Sequence, residues 1–571
     1  MKRQRIVAWA VLLSVPLAAQ AADGAKTPDS VLIKVLSEEM DYSMKNLAMP
    51  DGTKAYFMAY TITDQQKVSI GAELGALTDD EASHTRLLDV DARVGEYKLD
   101  NTHKIRGGFM GFDPSDLMGG MPTPISLSDD PSAIKQAVWL ATDRTFKSAA
   151  KKYQRVLTNL KTMVEEEDKA DDFSCEKPHV YGEPEARLKL DRKLWANRLR
   201  NVSNLARKYP LIYNSGVSLS ANAENQYFTN SEGSRIQHGQ KYLRIFVQAS
   251  TKAEDGMELS QYRTFSAASE ENLPSEEELK TAFQKVIDQV LALREAPLVE
   301  PYSGPAILMN RASGVFFHEI FGHRIEGHRQ KDVEEGQTFT KKIGQEVLPD
   351  FISVHDNPTM ARWGDIELRG YYKYDNEGIP SQDVTLVENG VLKTFLMSRS
   401  PVQDFEKSNG HGRREPGRQV VSRMGNTIVY SSKTTSFDEL RKMLIDECKK
   451  QDKPYGLMFE DITGGFTGTR RAGAQTFKVL PVVVYRIYAD GRKELVRGVD
   501  IVGTPLTSFS KIIYTGDDPD VFNGTCGAES GMVPVSGVSP SILVSEIEVE
   551  KRRREQDKPP ILSPPIAQKT P

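Results

Sequence analysis

The sequence predicts an α+β protein. A mixed helix-and-sheet N-terminal domain precedes a β-rich C-terminal domain that carries a histidine-bearing helix. Three observations predict it. Long segments with apolar residues at helical spacing fall before residue 298, strand-like alternation dominates after it, and the Pro-containing stretch "REAPLVEPYSGP" separates the two. The organisation expected is a leader at 1–21, an N-terminal domain at 22–298, a C-terminal domain at 299–550 and a disordered Pro-rich tail at 551–571.

The elements follow in order. "MKRQRIVAWAVLLSVPLAAQAADG" has basic Lys2, Arg3 and Arg5, an apolar run from Ile6 to Ala19, and the small residues Ala19 and Ala21 around a cleavage point. That three-part build is a secretory signal peptide cut after Ala21. The run is too short to span ~30 Å of hydrocarbon as a helix, and Pro16 interrupts it. No cysteine follows for a lipid, so the mature chain is expected to be exported, periplasmic or secreted, without a membrane anchor. Residues 28–48 place Val31, Leu32, Val35, Leu36 and Met40 on one helical face. Strands are expected at 55–63, 68–75 and 86–95. "FMGFDPSDLMGGMPTPISLS" at 109–128 reads as a long loop. Helices are expected near 131–168 and 189–208, and strands at 213–230 and 240–251. A helix at 275–294 opens with Ser275 and Glu278, the capping-box spacing. In the second half, Asn389-Gly390 and Asp490-Gly491 lie between alternating apolar residues and signal hairpins. "SFDELRKMLIDECKK" is a capped amphipathic helix, and "ILVSEIEVE" is a closing strand.

Composition narrows the function. Of 571 residues, 39% are hydrophobic and 27% charged, as in an ordinary globular protein. The 74 basic and 79 acidic side chains leave a net charge of −5, without the basic field of a nucleic-acid binder. "KRRRE" at 551–555 reads as a solvated terminus. The glycines of "TGGFTGTRRAG" at 463–473 lack the Gly-Lys-Ser/Thr ending of a phosphate loop and read as strand or turn glycines.

The chemistry concentrates in "FFHEIFGHRIEGHRQ", where three of the nine histidines lie between His318 and His328. Zinc hydrolases pair two histidines four positions apart on a helix and place a glutamate base after the first. Here His318 and His323 are five apart, so a regular helix would turn them about 140° from each other rather than about 40°. Shared binding therefore predicts an irregularity between them, such as a π-bulge, eased by Gly322. Against this stands the simpler reading of a charged surface helix. The apolar "GVFF" argues for burial, and buried histidines need partners. His328 is a rival third ligand. Cys175, Cys448 and Cys526 are an odd set. Cys448 reads as a buried small hydrophobe that Cys175 can pair with, while Cys526 sits in the turn-like "FNGTCGAESG".

Several separated motifs then share one resemblance. "FFHEIFGHRIEGH" resembles the H-E-x-x-x-H signature of the TldD/PmbA family of zinc metallopeptidases, which continues with Glu-Gly as Glu326-Gly327 do. "DNEGIPSQDVTLVENGVLKTFLMSR", "GHGRREPGRQVVSRMGNT" at 410–427 and "GTCGAESGMVPVSGVSPSILV" resemble later family segments in the same order. The resemblance covers roughly 210–550. It implies one zinc ion held by His318, His323 and Cys526, with Glu319 as general base, and moves His328 to a supporting or surface place. It implies hydrolysis of small or unfolded peptides, by a homodimer or in a heterodimer with a family member. The alternative is a zinc-stabilised scaffold or partner subunit, for which Glu319 would be unnecessary. His411, Arg413 and Arg414 are candidate oxyanion donors, with an ordinary salt-bridged arginine pair the better reading of the last two. Pro416 departs from the family pattern, and the export signal implies different peptides from those of well-known members.

Overall fold

The computed structural model describes residues 30–105, 122–161, 168–332, 334–336, 338–471, 476–552 and 557–567. The leader, most of the 109–128 loop and the last three residues of "KRRRE" lie outside the described residues. The chain is α+β.

The N-terminal part begins with α1 (Val31–Asn46), started by the Ser30 side chain, which accepts from the Ile33 N–H. Strands β1 (Ala55–Glu73) and β2 (Ala76–Glu96) form one long hairpin. Its turn residues Leu74 and Gly75 both have positive φ, as a tight hairpin turn requires. The sequence pattern breaks these strands at polar residues, but the structure carries the strands through. Mid-strand Asp64 is held by Arg86 at 2.7 Å and His84 at 2.8 Å, so the polar centre is partnered rather than looped. Next come α2 (Pro131–Leu160) and α3 (Arg192–Ser203), then β3 (Asn214–Asn230), β4 (Arg235–Lys252) and β5 (Glu258–Ala267). The sheet order is β2-β1-β3-β4, with β5 on β4. Helix α4 (Glu276–Glu295) carries the full capping box of Ser275 and Glu278.

Alternation assigns the two faces of this sheet. Met58, Tyr60 and Ile62 of β1 pack under α1 and α2, and Ile70 with Leu243, Ile245 and Val247 under α3 and α4. The opposite face carries Phe57, Phe228 and Ile236, which meet Phe173 and Tyr374. Arg244 and Phe246 of β4 belong to that second face, turned away from the helices.

The C-terminal part opens with β6 (Tyr302–Leu308) and the eleven-residue helix α5 (Asn310–Ile320). Then follow β7 (Ile352–Asp356), β8 (Val384–Glu388), β9 (Asn426–Ser431), α6 (Phe437–Lys450), β10 (Tyr455–Thr467), β11 (Phe477–Tyr488), β12 (Val499–Gly503), β13 (Ile512–Gly516), β14 (Asp520–Ala528), β15 (Gly531–Ser539) and β16 (Ile542–Lys551). The pairings β6–β10, β10–β11, β11–β12, β12–β16 and β16–β6 close a five-membered ring. A second sheet runs β8-β7-β9-β15-β14, with β9 and β15 parallel. Both Gly-containing turns form hairpins, and Asn389 and Gly390 have positive φ. Helix α5 packs on β10 and β11 of the ring and on β14 and β15 of the sheet, so it lies between them. Phe316 and Phe317 anchor it against Phe477 and Phe509.

Lys551 ends β16 and pairs with Glu300, while Arg552 bonds Asp500 at 2.7 Å, so the sheet and its ion pairs reach into the expected tail. The three cysteines are all unpaired. Cys448 lies on the buried face of α6 with Leu440 and Leu444, packed with Ile307 of β6, whereas Cys175 lies exposed on the N-terminal part.

Candidate metal centre

Helix α5 stops at Ile320, and Gly322–Arg324 form a 3-10 turn. The irregularity expected between His318 and His323 is there, but it is a helix end rather than a π-bulge. Its cause is Arg324, whose buried guanidinium donates to the carbonyls of Glu319 and Ile320, at 3.1 Å each, and caps the last turn. Gly322 serves space rather than distortion: a Cβ there would lie 2.0 Å from the Met424 sulfur. The turn swings His323 back, and the two imidazoles stand edge to face at 5.2 Å.

Cys526 reaches them from β14, in a hairpin that pairs Cys526 with Val533. Its Sγ lies 3.2 Å from His318 Nε2 and 3.3 Å from His323 Nε2. Zn–N bonds of about 2.0–2.1 Å and a Zn–S bond of about 2.3 Å would set tetrahedral N and S ligands about 3.5 Å apart. The three donor atoms, mutually within 4.8 Å, fit such an ion after small shifts. All three residues are buried. Burial alone would raise the Cys526 thiol, but His323 and His318 hold it well below the usual thiol range. Burial likewise works against a proton on either histidine, yet Cys526 keeps both above the ordinary range. The cluster thus favours a thiolate, the form that ligates metal.

A supporting layer fixes these ligands. Glu326, fully buried, faces His323 Nδ1 at 3.3 Å, which leaves Nε2 pointing at Cys526. Although burial favours the neutral acid, His323, Arg329 and Arg423 hold Glu326 down at about 2. Arg423, 3.3 Å from Glu326, also donates to the Cys526 carbonyl at 2.9 Å and to the Ser530 hydroxyl at 2.7 Å. It therefore ties the histidine turn to the cysteine hairpin. Of this layer, Glu326 and Arg423 lie within the motifs that carry the family resemblance, where neither has an assigned role, and Arg329 does not. The signal available for Glu326 was its i,i+3 spacing from His323.

Glu319 lines a cavity of about 780 Å³ together with the three donor residues. Among the described residues its carboxylate has no hydrogen-bond or ion-pair partner. Of the glycine stretch at 463–473, residues 463–467 are strand and also wall this cavity. His328 pairs with Glu529 instead of joining the donors. The candidate oxyanion donors are elsewhere. His411 is buried 3.2 Å from Asp356, Arg413 donates to the carbonyl of Pro534 at 2.7 Å, and Arg414 pairs with Asp89 at 3.2 Å. None of them lines the cavity. So only Arg414 meets the salt-bridge expectation.

A family model for the PmbA/TldA metallopeptidase C-terminal domain matches residues 301–551. A metalloprotease of Archaeoglobus fulgidus is 29% identical over 259 residues, covering 45% of this chain and 56% of that one. A zinc metalloprotease TldD homolog of Saccharolobus solfataricus is 25% identical over 278 residues, covering 46% and 57%. The matched stretch is thus little more than half of each relative. Among solved structures, TldE from Thermococcus kodakarensis superposes with a TM-score of 0.61 at 14% identity, covering 91% of this chain and 100% of that one. At that identity the likeness establishes the fold alone.

Proposed function

Because the chain belongs to the PmbA/TldD family through residues 301–551, we propose that it is a zinc peptidase that hydrolyses small or unfolded peptides at the cavity beside His318, His323 and Cys526. The observation that carries this reading is the convergence of the three donors, from residues some two hundred positions apart, in one cavity with Glu319, whose carboxylate is unpartnered among the described residues. A zinc ion held there supplies Lewis-acid polarisation and makes water acidic near neutral pH. Glu319 accepts the proton of the attacking water and returns it to the leaving amine. Glu326 keeps His323 in the orientation that presents Nε2. A purely structural metal site would have no use for a free carboxylate facing the cavity. Export through residues 1–21, and action as a homodimer or with a second family member, complete the proposal.

Metal content and peptide cleavage in three proteins test it. Glu319→Ala is expected to retain one zinc per chain and lose cleavage by about 10²-fold or more. Cys526→Ala is expected to lose both. Full cleavage by Glu319→Ala would remove the peptidase reading, and undiminished zinc in Cys526→Ala would remove the proposed ligand set.

A further inference from the structure

The cavity has two unlike walls. On the metal side, the acids Glu335 and Glu529 are already matched by Arg329, at 3.2 and 2.9 Å, and Asp332 by Lys104. The other wall comes from the N-terminal sheet: Arg244 and Phe246 of β4, Tyr262 and Thr264 of β5. These strands pair with Phe246 opposite Thr264 and Arg244 opposite Ser266. Phe246 and Tyr262 stack at 5.2 Å, a flat aromatic floor, and the Arg244 guanidinium lies 6.0 Å from the Phe246 ring centre. Among the described residues, no carboxylate pairs with Arg244, and its buried Nε has no hydrogen-bond partner. Arg369, which does not line the cavity, sits 4.6 Å over the Tyr242 ring, and among the described residues its buried Nη1 is unpartnered and no acid pairs with it. Burial, and then Arg244 and Arg413 nearby, depress its basicity. Half-buried guanidinium groups with no counter-ion are costly, and a planar anion relieves that cost through two parallel N–H···O bonds.

We propose that Arg244 is the centre of a carboxylate subsite, so that the peptides bound in this cavity carry either a free C-terminal carboxylate or an Asp or Glu side chain over the Phe246–Tyr262 floor. The proposal rests on the peptidase reading for its substrate but not for its test. The carboxylate is anchored on the N-terminal sheet while the hydrolytic groups stand on the C-terminal part, so both parts must be in place for a peptide to bind.

The test is binding, read by fluorescence anisotropy with zinc-loaded Glu319→Gln protein. A labelled neutral heptapeptide is used in three forms: C-terminal amide, C-terminal acid, and amide with one internal Gln replaced by Glu. One or both acidic forms are expected to bind about ten- to a hundredfold more tightly than the neutral form, the range of a charge-assisted hydrogen bond. Whichever form gains identifies the source of the carboxylate. Arg244→Gln in the same background is expected to erase the gain, so that the acidic and neutral forms bind alike, while Arg244→Lys keeps part of it. Equal binding of all three peptides, or an unchanged preference in Arg244→Gln, would overturn the subsite. Cleavage by the wild-type protein is measured separately. A carboxylate preference in binding without any cleavage would sink the peptidase reading and leave the subsite standing.

Discussion

Glu319 has the β10–β11 pair at its back, and one glycine makes room for it. A Cβ built on Gly465 would lie 2.8 Å from the Glu319 Cγ and 2.8 Å from the Lys478 carbonyl oxygen. The first atom belongs to the candidate base and the second to the neighbouring strand, so neither can yield freely. Gly465→Ala is therefore expected to displace the Glu319 carboxylate while leaving the donor cluster alone. Cleavage should fall about ten- to a hundredfold, as a displacement near 1 Å at reacting groups does. Zinc content should stay at the wild-type level. Steady-state kinetics with metal analysis checks this, and equal loss of zinc and activity would show that the whole site had collapsed instead. His318, Glu319 and His323 could be nominated from sequence because their side chains have distinctive chemistry, whereas Cys526 came only through the resemblance to the family. Gly465 could not, since its contribution is an absent atom whose value depends on a helix about 145 positions earlier.

Helix α5 shows at the next scale why elements were more legible than their junctions. Its apolar "GVFF" was readable as a sign of burial, and the capped helices and the Asn-Gly hairpin were readable from their local signals, because each is decided by residues within a few positions. Its end was not. The cap is supplied by Arg324, folding back on the Glu319 and Ile320 carbonyls, and the partner strand for its histidines arrives some two hundred residues later. The β1–β2 hairpin was misread for a related reason, since Asp64 interrupts the local pattern and its partners His84 and Arg86 are about twenty positions away. The helix reaches the Cys526 hairpin through backbone contact. A Cβ on Gly314 would lie 3.3 Å from the Gly537 carbonyl oxygen, and one on Gly537 would lie 3.2 Å from that of Gly314. Gly314→Val is expected to lift α5 from β15, at a cost of about 1–3 kcal/mol in stability. It should also weaken zinc binding more than Gly314→Ala does, because the histidines move away from the strand that carries Cys526. Zinc-competition titration with a chelator, beside denaturant unfolding, checks both. Unaltered zinc affinity in Gly314→Val would mean that the cysteine hairpin follows the helix.

At the scale of the molecule, the cavity has one wall from each part of the chain, so its shape depends on what clamps the two parts together. Arg399 is a clamp, fully buried although charged. Its guanidinium lies 4.0 Å from the Phe173 ring centre and 4.8 Å from that of Phe57, and it bonds Glu232 at 2.7 Å. Its backbone N–H donates to Glu377 at 2.7 Å, and its carbonyl accepts from the Ser174 N–H at 2.9 Å. The planar group thus lies among N-terminal rings while its main chain stays in the C-terminal part. Removing one partner of a buried ion pair costs about 3–5 kcal/mol, because the other charge is left behind in a dry site. Arg399→Met is therefore expected to split unfolding into two transitions, the N-terminal sheet separating before the ring-and-sheet core. Arg399→Lys, which keeps the charge but loses the flat fork, should fall between. The three candidate donors all belong to the C-terminal part, so zinc binding should survive in Arg399→Met, whereas acidic-peptide binding, which on the proposal needs Arg244 across the cavity, should weaken. Calorimetry, zinc analysis and peptide anisotropy on the same preparations separate these outcomes. A single unshifted unfolding transition would show that other contacts between the parts suffice. Loss of zinc together with peptide affinity would show that the metal centre itself depends on the N-terminal sheet.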